Sequence, residues 1–338
     1  MKVLLSAVLS LSFLSLIVSA HSADWVVYEG KSGPGLGKNI VFLSGDEEYR
    51  SEEGLPMLAK ILAVRHGFRC TVLFPINPAD GTIDPVTLTN IPGMSALDSA
   101  DLCIMALRFR ELPDEQMRHF VEYLERGKPI IALRTSTHAF SYEHNTQDPY
   151  AKYDWRNKDW PGGFGKQVLG ETWVDHHGAH GKESTRGLIN PDFATHPVLR
   201  GVTDLWGPTD VYAVTHLPKD AKVLVWGQVL SGMKPEDPPV TGPKNDPLMP
   251  LVWVREYSAT PGHTSKILTT TMGAAVDLQN EGLRRLIVNG AYWATGITDK
   301  LPDKADVACV GQYHPLWFGF GKFAKGVKPD DLGLKSGL

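Results

Sequence analysis

The chain has 338 residues, of which 42% are hydrophobic and 21% charged, with a formal net charge of −4 and a pI near 6.3. This length suits one large domain or two small ones with an ample core. The slightly acidic balance gives no electrostatic basis for binding nucleic acid or an anionic membrane surface. The three cysteines are an odd number and do not predict a disulfide framework.

The first residues predict a secretory signal peptide. Lys2 precedes an apolar run over residues 3–18, and the small residues Ser19 and Ala20 follow it. The run is shorter than the roughly 20 residues of a spanning helix, which disfavours the alternative of a membrane anchor. We therefore expect cleavage after Ala20, a secreted or periplasmic protein without a membrane span, and a lead-in segment over residues 21–37.

Strand-like and helical patterns alternate along the first half of the chain. Apolar strand-like runs occupy residues 39–43, 69–74, 101–107 and 129–133. Helical spacing of apolar residues predicts helices over residues 52–66 and 114–126. Such alternation predicts βαβ units and an α/β fold with a doubly wound, mostly parallel sheet. Further on, residues 222–226, 251–254 and 266–271 read as strands, and residues 281–293 as an amphipathic helix.

Polar side chains follow three of the predicted strands. Ligands of an open parallel sheet bind beyond the carboxyl ends of its strands, so these side chains are expected to converge at one edge. The set contains carboxylates, arginines and an imidazole, which suit acid–base chemistry or the grip on a polar ligand. Its members are Asp46, Glu48, Arg108, Arg110, Arg134 and His138. Ion pairing between the carboxylates and the arginines is the structural alternative.

Residues 171–183 form the densest polar cluster in the chain. His177 and His180 are three residues apart and His176 and His180 four apart, so either pair could hold a divalent metal such as zinc. Gly178 and Gly181 indicate a loop, however, and the spacing does not match a His-Glu-x-x-His helix. A catalytic or substrate-binding histidine is the favoured interpretation, with His177 or His138 as the base. The aromatic segment over residues 140–161 suits either a lid or an ordinary surface insertion.

Several segments in a fixed order resemble the trehalose-utilisation (ThuA-like) family. The resemblance covers about residues 38–300 and looks like the exported forms found in planctomycete-type bacteria. It rests on residues 41–50 (VFLSGDEEYR), 131–134 (IALR), 193–201 (FATHPVLRG), 209–212 (TDVY), 250–253 (PLVW), 269–273 (TTTMG) and 284–296 (RRLIVNGAYWATG).

The resemblance implies a flavodoxin-like core similar to that of class I glutamine amidotransferases, followed by a C-terminal extension over residues 301–338. Amidotransferases carry a nucleophilic Cys at the elbow where this chain has Arg134, so glutamine hydrolysis is excluded. Relatives often carry His at the elbow and a Gly-His pair where this chain has Gly273 and Ala274. The family is linked to carbohydrate use, in particular to 3-keto derivatives of disaccharides.

The polar residues predict acid–base chemistry, and the resemblance implies that its substrate is a sugar or 3-keto-glycoside, so a hydrolase or lyase is expected. His177 and His138 are the candidate bases and Asp46 and Glu48 their acid partners. The candidate substrate-binding residues are Arg108, Arg110, Arg134, Trp173, Asp210 and Tyr212. No cofactor is indicated beyond a divalent metal at His176 and His180, the expected partner is a small carbohydrate, and a homo-oligomer is left open. The competing hypothesis is a non-catalytic carbohydrate-binding or accessory protein on the same fold.

Overall fold

The computed structural model describes residues 23–334, so the predicted signal peptide over residues 1–20 lies outside the described residues. Within this range ten strands form one sheet in the order β1-β3-β2-β4-β5-β10-β9-β8-β6-β7. The strands are β1 (Trp25–Tyr28), β2 (Asn39–Gly45), β3 (Arg69–Leu73), β4 (Leu102–Leu107), β5 (Ile130–Leu133), β6 (Thr185–Ile189), β7 (Leu205–Gly207), β8 (Lys222–Val229), β9 (Met249–Thr260) and β10 (His263–Thr270).

The prediction of a mostly parallel sheet is wrong. Among the described strands, β3, β2, β4, β5 and β10 pair in parallel, whereas the other five of the nine neighbouring pairs are antiparallel. A tight turn joins β9 to β10, so β10 runs antiparallel to β9. On its other side β9 pairs antiparallel with β8. An apolar run predicts that a segment is a strand but not the direction in which it runs. The sequence reading therefore extended the parallel pattern to strands that are antiparallel. The coarser prediction of an α/β chain with a large sheet is confirmed.

The three long helices cover both faces of the parallel half. Leu58 of α1 (Ser51–His66) and Leu286 of α3 (Glu281–Ala294) belong to one apolar cluster. Phe120 of α2 (Asp114–Glu125) belongs to a second cluster, together with residues on the opposite side of β4 and β5. Strands covered on both faces must be apolar throughout, which is why β4 and β5 are fully buried. No helix of residues 23–334 is long and apolar enough to cross a bilayer.

Asn280 caps the N-terminus of α3 with its side chain. The Asn280 side-chain oxygen accepts a hydrogen bond from the Leu283 backbone N–H at 2.9 Å. We expect Asn280→Ala to lower the free energy of unfolding by about 1 kcal/mol, because this N–H loses its partner. Urea denaturation of Asn280→Ala beside Asn280→Asp checks it, since aspartate also caps well. Equal losses in both variants would contradict a capping role.

The C-terminal segment over residues 301–334 is packed along α1 and reaches the carboxyl end of the parallel strands. His66 bonds the Asp306 carbonyl, and the Tyr28 hydroxyl donates to the Leu332 carbonyl at 2.7 Å. Near the middle of the segment, the Gly319 backbone N–H donates to the Glu48 carbonyl at 2.8 Å. The C-terminal segment therefore forms part of the sheet edge where polar side chains were expected to converge.

Candidate functional site

Strained backbone marks the turns that follow the parallel strands. Among residues 23–334, three non-glycine residues have positive φ, namely Arg50 (58°), Phe109 (52°) and Arg134 (43°). They follow β2, β4 and β5 respectively. Such conformations are costly for residues with a Cβ and persist where the surrounding structure fixes them, frequently at functional sites. The elbow predicted at Arg134 therefore exists as a sharp turn into the buried short helix Arg134–His138.

Arg134 is buried and holds the centre of the site rigid. Its Nη1 donates to the carbonyls of Asp210 and Thr271, both at 2.8 Å, and its Nη2 donates to Asp210 Oδ1 at 2.8 Å. The guanidinium carbon lies 4.1 Å from the ring centre of Tyr212 and 4.5 Å from that of Tyr49. An arginine with this many fixed partners positions other groups and has little freedom to move with a substrate.

Two histidines share the carboxylate that Arg134 holds. His176 Nδ1 lies 2.6 Å from Asp210 Oδ2, and His180 Nδ1 lies 3.0 Å from Asp210 Oδ1. An isolated antiparallel bridge between His176 and Tyr212 brings the histidine loop alongside residues 209–212. Asp210 is buried, whereas both imidazoles are partly exposed. Of the three predicted histidines in this loop, His176 and His180 thus reach the elbow arginine through one carboxylate.

His180 also contacts a second carboxylate. Its Nε2 lies 3.3 Å from Glu48 Oε1, so the imidazole bridges Glu48 and Asp210. The hydrogen bond with Asp210, and the charges of Asp210 and Glu48, raise the pKa of His180 against the opposing effect of burial. Burial and the neighbouring Asp46 raise the pKa of Glu48. The raised pKa favours the protonated imidazole of His180 and the neutral carboxyl group of Glu48, so proton exchange between the two groups is part of the chemistry this pair can support.

The Asp210 carboxyl stays ionised. Burial alone would raise its pKa, but the Arg134 charge and the hydrogen bonds from His176 and His180 outweigh it and hold the pKa well below the usual range. Asp210 is therefore a fixed negative charge that orients both imidazoles, as carboxylates do beside catalytic or metal-bound histidines.

Two of the other predicted site residues, Asp46 and Arg110, make hydrogen bonds that stabilise the fold. Asp46 Oδ1 accepts the backbone N–H groups of Glu48 and Tyr49 at 2.8 and 2.9 Å, and Asp46 Oδ2 accepts the Thr135 hydroxyl. Arg110 is buried and donates to Glu47 at 2.8 Å. Arg110 also donates to the backbone carbonyls of Pro85, Thr87 and Arg108.

Arg108 is the more accessible of the two arginines after β4. Its guanidinium bonds Glu47 and lies 3.9 Å from Glu48, and 18% of its side chain remains exposed. The same guanidinium lies 5.0 Å from the ring centre of Phe320. Arg108 is thus positioned to place positive charge next to the Glu48–His180 pair.

His138 lies among aromatic rings next to the histidine pair. Its ring centre is 4.9 Å from that of Phe109, 5.6 Å from Trp173 and 6.4 Å from Tyr212. Burial, assisted by the charges of Arg108 and Arg134, lowers its pKa well below the usual value. His138 is therefore a neutral imidazole at physiological pH.

His177 points elsewhere. Its Nε2 lies 2.7 Å from the Lys244 carbonyl, and no contact joins it to the arginines among the described residues. Its role as a base stays a prediction, although the structure does not bring it to the Asp210 cluster. Glu171 and Glu183 are likewise occupied, since Glu171 accepts the N–H groups of Thr215 and His216 and Glu183 pairs with Lys244.

The sequence reading missed the contribution of the C-terminal segment. The Phe318 ring centre lies 5.6 Å from that of Tyr49 and 5.4 Å from that of His180. Trp317 and Phe320 beside it are 48% and 60% exposed, so this end of the segment presents large apolar rings to solvent. The signal was present as four aromatic residues in the Gly- and Lys-rich stretch over residues 317–328, but no periodicity links that stretch to a strand end.

His176, His180 and Asp210 also form a donor set that fits a metal ion. One potential ligand atom from each lies within 4.8 Å of the others. Two imidazoles and a carboxylate are ligands that zinc and other divalent transition metals accept. Arg134, at 2.8 Å from Asp210 Oδ1, places a competing positive charge on the same carboxylate. If a metal were held by these three residues, it would supply Lewis acidity to a bound oxygen.

Comparison with solved structures supports a ThuA-like fold. A ThuA-like protein of Parabacteroides merdae is 16% identical, with a TM-score of 0.50 over 76% of this chain and 90% of its own. A ThuA-like protein of Bacteroides uniformis is 15% identical, with a TM-score of 0.46 over 79% and 95%. The exo-β-1,4-mannosidase Op5Man5 of an Opitutaceae bacterium is 11% identical, with a TM-score of 0.34 over 75% and 35%.

These identities are too low to transfer an activity, and only the first TM-score supports the shared fold. No family model matches the sequence. No curated protein matches it either.

Proposed function

We propose that this protein acts on a sugar or 3-keto-glycoside by acid–base chemistry at the carboxyl end of the parallel strands. The observation that carries the proposal is the bridging of Glu48 and Asp210 by the partly exposed imidazole of His180. A carboxylate–imidazole pair in which the pKa of each group is raised, beside an arginine and exposed aromatic rings, suits proton transfer on a polar ring compound.

The proposed reaction is an elimination that the keto group makes feasible. Glu48 takes the proton from C2, next to the carbonyl carbon, and the electron pair of the broken C–H bond delocalises onto the keto oxygen as an enolate. The enolate collapses to form the C1–C2 double bond, and the C1–O bond to the aglycone breaks. His180, kept protonated by its carboxylates, gives its proton to the departing oxygen.

Neighbouring groups support the charged stage of this reaction. Arg108 lies 3.9 Å from Glu48 and is partly exposed, so it is placed to stabilise the enolate oxygen. The sequence reading had His138 or His177 as the base and Glu48 as an acid partner; here Glu48 is proposed as the base, and the neutral imidazole of His138 is the alternative base. Trp317 and Phe320 expose ring faces on which sugar C–H groups can stack. Arg134 and Asp210 position the histidines and take no proton.

Two features favour a second candidate function, a non-catalytic carbohydrate-binding or accessory protein. Arg134 at the elbow is immobilised by carbonyl and carboxylate bonds, which leaves that position without a nucleophile. The exposed rings of Trp317 and Phe320 would serve binding alone equally well.

The proposal also includes a flavodoxin-like core and an exported location. The parallel strands occur in the order β3-β2-β4-β5-β10, the second-first-third-fourth-fifth order of flavodoxin-like sheets, with helices on both faces. We infer that this half is a flavodoxin-like core with an added antiparallel half. We also propose that the protein is an exported variant, secreted or periplasmic, that meets its carbohydrate outside the cytoplasm.

The decisive experiment is incubation of the protein with 3-keto-trehalose and 3-keto-sucrose, with and without a chelator, followed by product analysis by mass spectrometry. We expect turnover by the wild-type protein and a loss of about 100-fold or more in His180→Gln, since general acid catalysis of this kind contributes about 10²–10⁴. His119→Gln is the matched control, because His119 of α2 also pairs with a carboxylate, Asp98, outside the Asp210 cluster.

Three results would redirect the proposal. Saturable binding without turnover would establish the accessory function. Turnover that disappears with the chelator and returns with zinc would show that the reaction needs a metal, with His176, His180 and Asp210 as its candidate ligands. Equal activity of His180→Gln and His119→Gln would remove His180 from the reaction.

A further inference from the structure

Phe318 of the C-terminal segment is buried at the candidate site and outside the main core. Its side chain is only 4% exposed. It belongs to a small apolar cluster with Tyr49, Ala274 and Val276, separate from the two large clusters on the faces of the sheet. Small satellite clusters of this kind commonly form under long loops. The packing of Phe318 therefore bears on the geometry of the site more than on the core of the sheet.

The backbone next to Phe318 is fixed to the turn that carries Glu48. The Gly319 N–H donates to the Glu48 carbonyl at 2.8 Å, and the Gly319 carbonyl accepts a hydrogen bond from Arg50 Nη2. Gly319 has a φ of 128°, a conformation that residues with a Cβ rarely adopt. These two bonds hold Phe318 at a constant position relative to Glu48.

The Phe318 ring completes a group of three rings with His180 and Tyr49. Its centre lies 5.4 Å from that of His180 and 5.6 Å from that of Tyr49, and the centres of His180 and Tyr49 are 6.3 Å apart. The Tyr49 hydroxyl accepts a hydrogen bond from the buried Arg134 Nη2 at 3.2 Å, so this ring is fixed as well. The imidazole of His180 thus packs against two rings that are each anchored to a rigid part of the site.

His180 depends on such packing because its own loop gives it little support. The residue lies in a turn, outside every helix and strand, and 35% of its side chain is exposed. Its ring nitrogens lie 3.0 Å from Asp210 and 3.3 Å from Glu48, and a rotation of the side chain would break both contacts. Functional side chains keep a productive geometry when neighbouring groups lock their rotamers by packing. Phe318 is the group that the C-terminal segment supplies for this purpose.

We propose that Phe318 is a positioning residue whose ring holds the His180 imidazole in the orientation that contacts Glu48 and Asp210 together. Phe318 has no group that exchanges a proton, so it acts on the reaction only through His180. The expected effect on turnover rests on the proposed function. The order of the imidazole, in contrast, is measured without substrate, so failure of the proposed reaction and failure of this role are distinguishable.

The first measurement is NMR relaxation of the imidazole C–H groups in the whole protein, labelled with ¹³C at histidine, with His180→Gln to assign the signal. We expect a rigid His180 ring in the wild type, with an order parameter of about 0.85, and a mobile ring in Phe318→Ala, with a value below about 0.6. Phe318→Leu keeps a buried apolar side chain and should stay near wild type. Phe323→Ala is the matched control, because Phe323 is a buried phenylalanine of the same segment outside the cluster of Phe318, and it should leave His180 rigid.

Turnover of 3-keto-sucrose is the second measurement. The kcat of Phe318→Ala should fall about 10- to 100-fold with KM within a few-fold of wild type, because a misplaced acid slows the chemical step without removing a substrate contact. Phe318→Leu should recover most of this loss, and Phe323→Ala should keep the wild-type kcat.

Phe318→Val, a smaller truncation, replaces Phe318→Ala in both measurements if the alanine variant does not fold. The role of Phe318 is overturned by a His180 ring that is already mobile in the wild type, or that stays rigid in Phe318→Ala. It is also overturned if Phe323→Ala loosens the ring as much as Phe318→Ala does. If the wild-type protein does not turn over 3-keto-sucrose, the proposed function fails, and the order of the ring alone supports or overturns the role of Phe318.

Discussion

Replacing Asp210 with asparagine is expected to lower the free energy of unfolding by about 3–5 kcal/mol at pH 7, because the variant leaves the buried Arg134 guanidinium without its counter-charge. The asparagine keeps the size of the side chain, so packing losses are small. The loss is measured by urea denaturation. The full difference in unfolding free energy between the wild-type protein and Asp210→Asn should be present at neutral pH, because the pKa of Asp210 is held well below its usual range.

The sign of the pH dependence follows from that depressed pKa. The stabilisation by Asp210 is fully present above its unfolded-state pKa of about 4, and it is lost as the pH falls toward the lower folded-state pKa. The wild-type and Asp210→Asn curves should therefore approach each other only in strong acid.

The matched control is Asp204→Asn. Asp204 pairs with Arg186 at 2.9 Å on the surface, where 60% of its side chain is exposed, so its loss should cost at most about 1 kcal/mol. In the same Asp210→Asn protein, histidine NMR should show a lower pKa for His180, because its hydrogen bond with Asp210 is the main cause of the raised value. An unfolding free energy equal to that of Asp204→Asn would show that Arg134 does not depend on Asp210.

Replacing Glu52 with glutamine is expected to stabilise the protein at alkaline pH and to leave it nearly unchanged near pH 5. Burial raises the pKa of Glu52 to about 8, so ionisation of this group opposes folding. A raised folded-state pKa means that stability is full below the unfolded-state value near 4.3 and falls as the pH rises to about 8. The glutamine side chain cannot ionise and escapes that loss.

The full shift corresponds to an upper limit on the order of 5 kcal/mol, at about 1.4 kcal/mol per pH unit. Thermal and urea unfolding between pH 5 and pH 9 measure the difference between the two proteins. Glu122→Gln is the control, because Glu122 forms an exposed pair with Arg118 on α2. Parallel stability curves for wild type and Glu52→Gln between pH 5 and pH 9 would show that the pKa of Glu52 is not raised on folding.

The central strands were predictable because burial on both faces leaves a continuous apolar run. Every predicted strand exists, and β5 and β10 differ from their predicted bounds by a few residues at most. The sequence reading missed β1, β6 and β7. β7 has only three residues, and β6 carries Arg186 and Gly187 in its middle, so neither gives an apolar run or a clear alternation.

The candidate site was predictable in position and less so in detail. The order of strands and polar residues places Arg134, Glu48 and His138 at one edge, and the structure brings them there. The choice among the histidines depends on how their loop lies along residues 209–212 at the β-bridge between His176 and Tyr212, where His180 contacts Asp210 and His177 the Lys244 carbonyl. Sequence spacing does not encode that register. Sequence spacing also does not reveal that Asp46 and Arg110 form hydrogen bonds with backbone groups.

The most direct test of the proposed chemistry is proton exchange at the carbon next to the keto group. 3-Keto-sucrose is incubated with the protein in D₂O, and the H-2 signal is followed by proton NMR against a buffer blank. The proposed reaction predicts loss of the H-2 signal well above the blank for wild type and for His119→Gln, and loss at the blank rate for Glu48→Gln. Exchange at the blank rate in the wild-type protein, or exchange by Glu48→Gln equal to that of wild type, would contradict acid–base chemistry at this site.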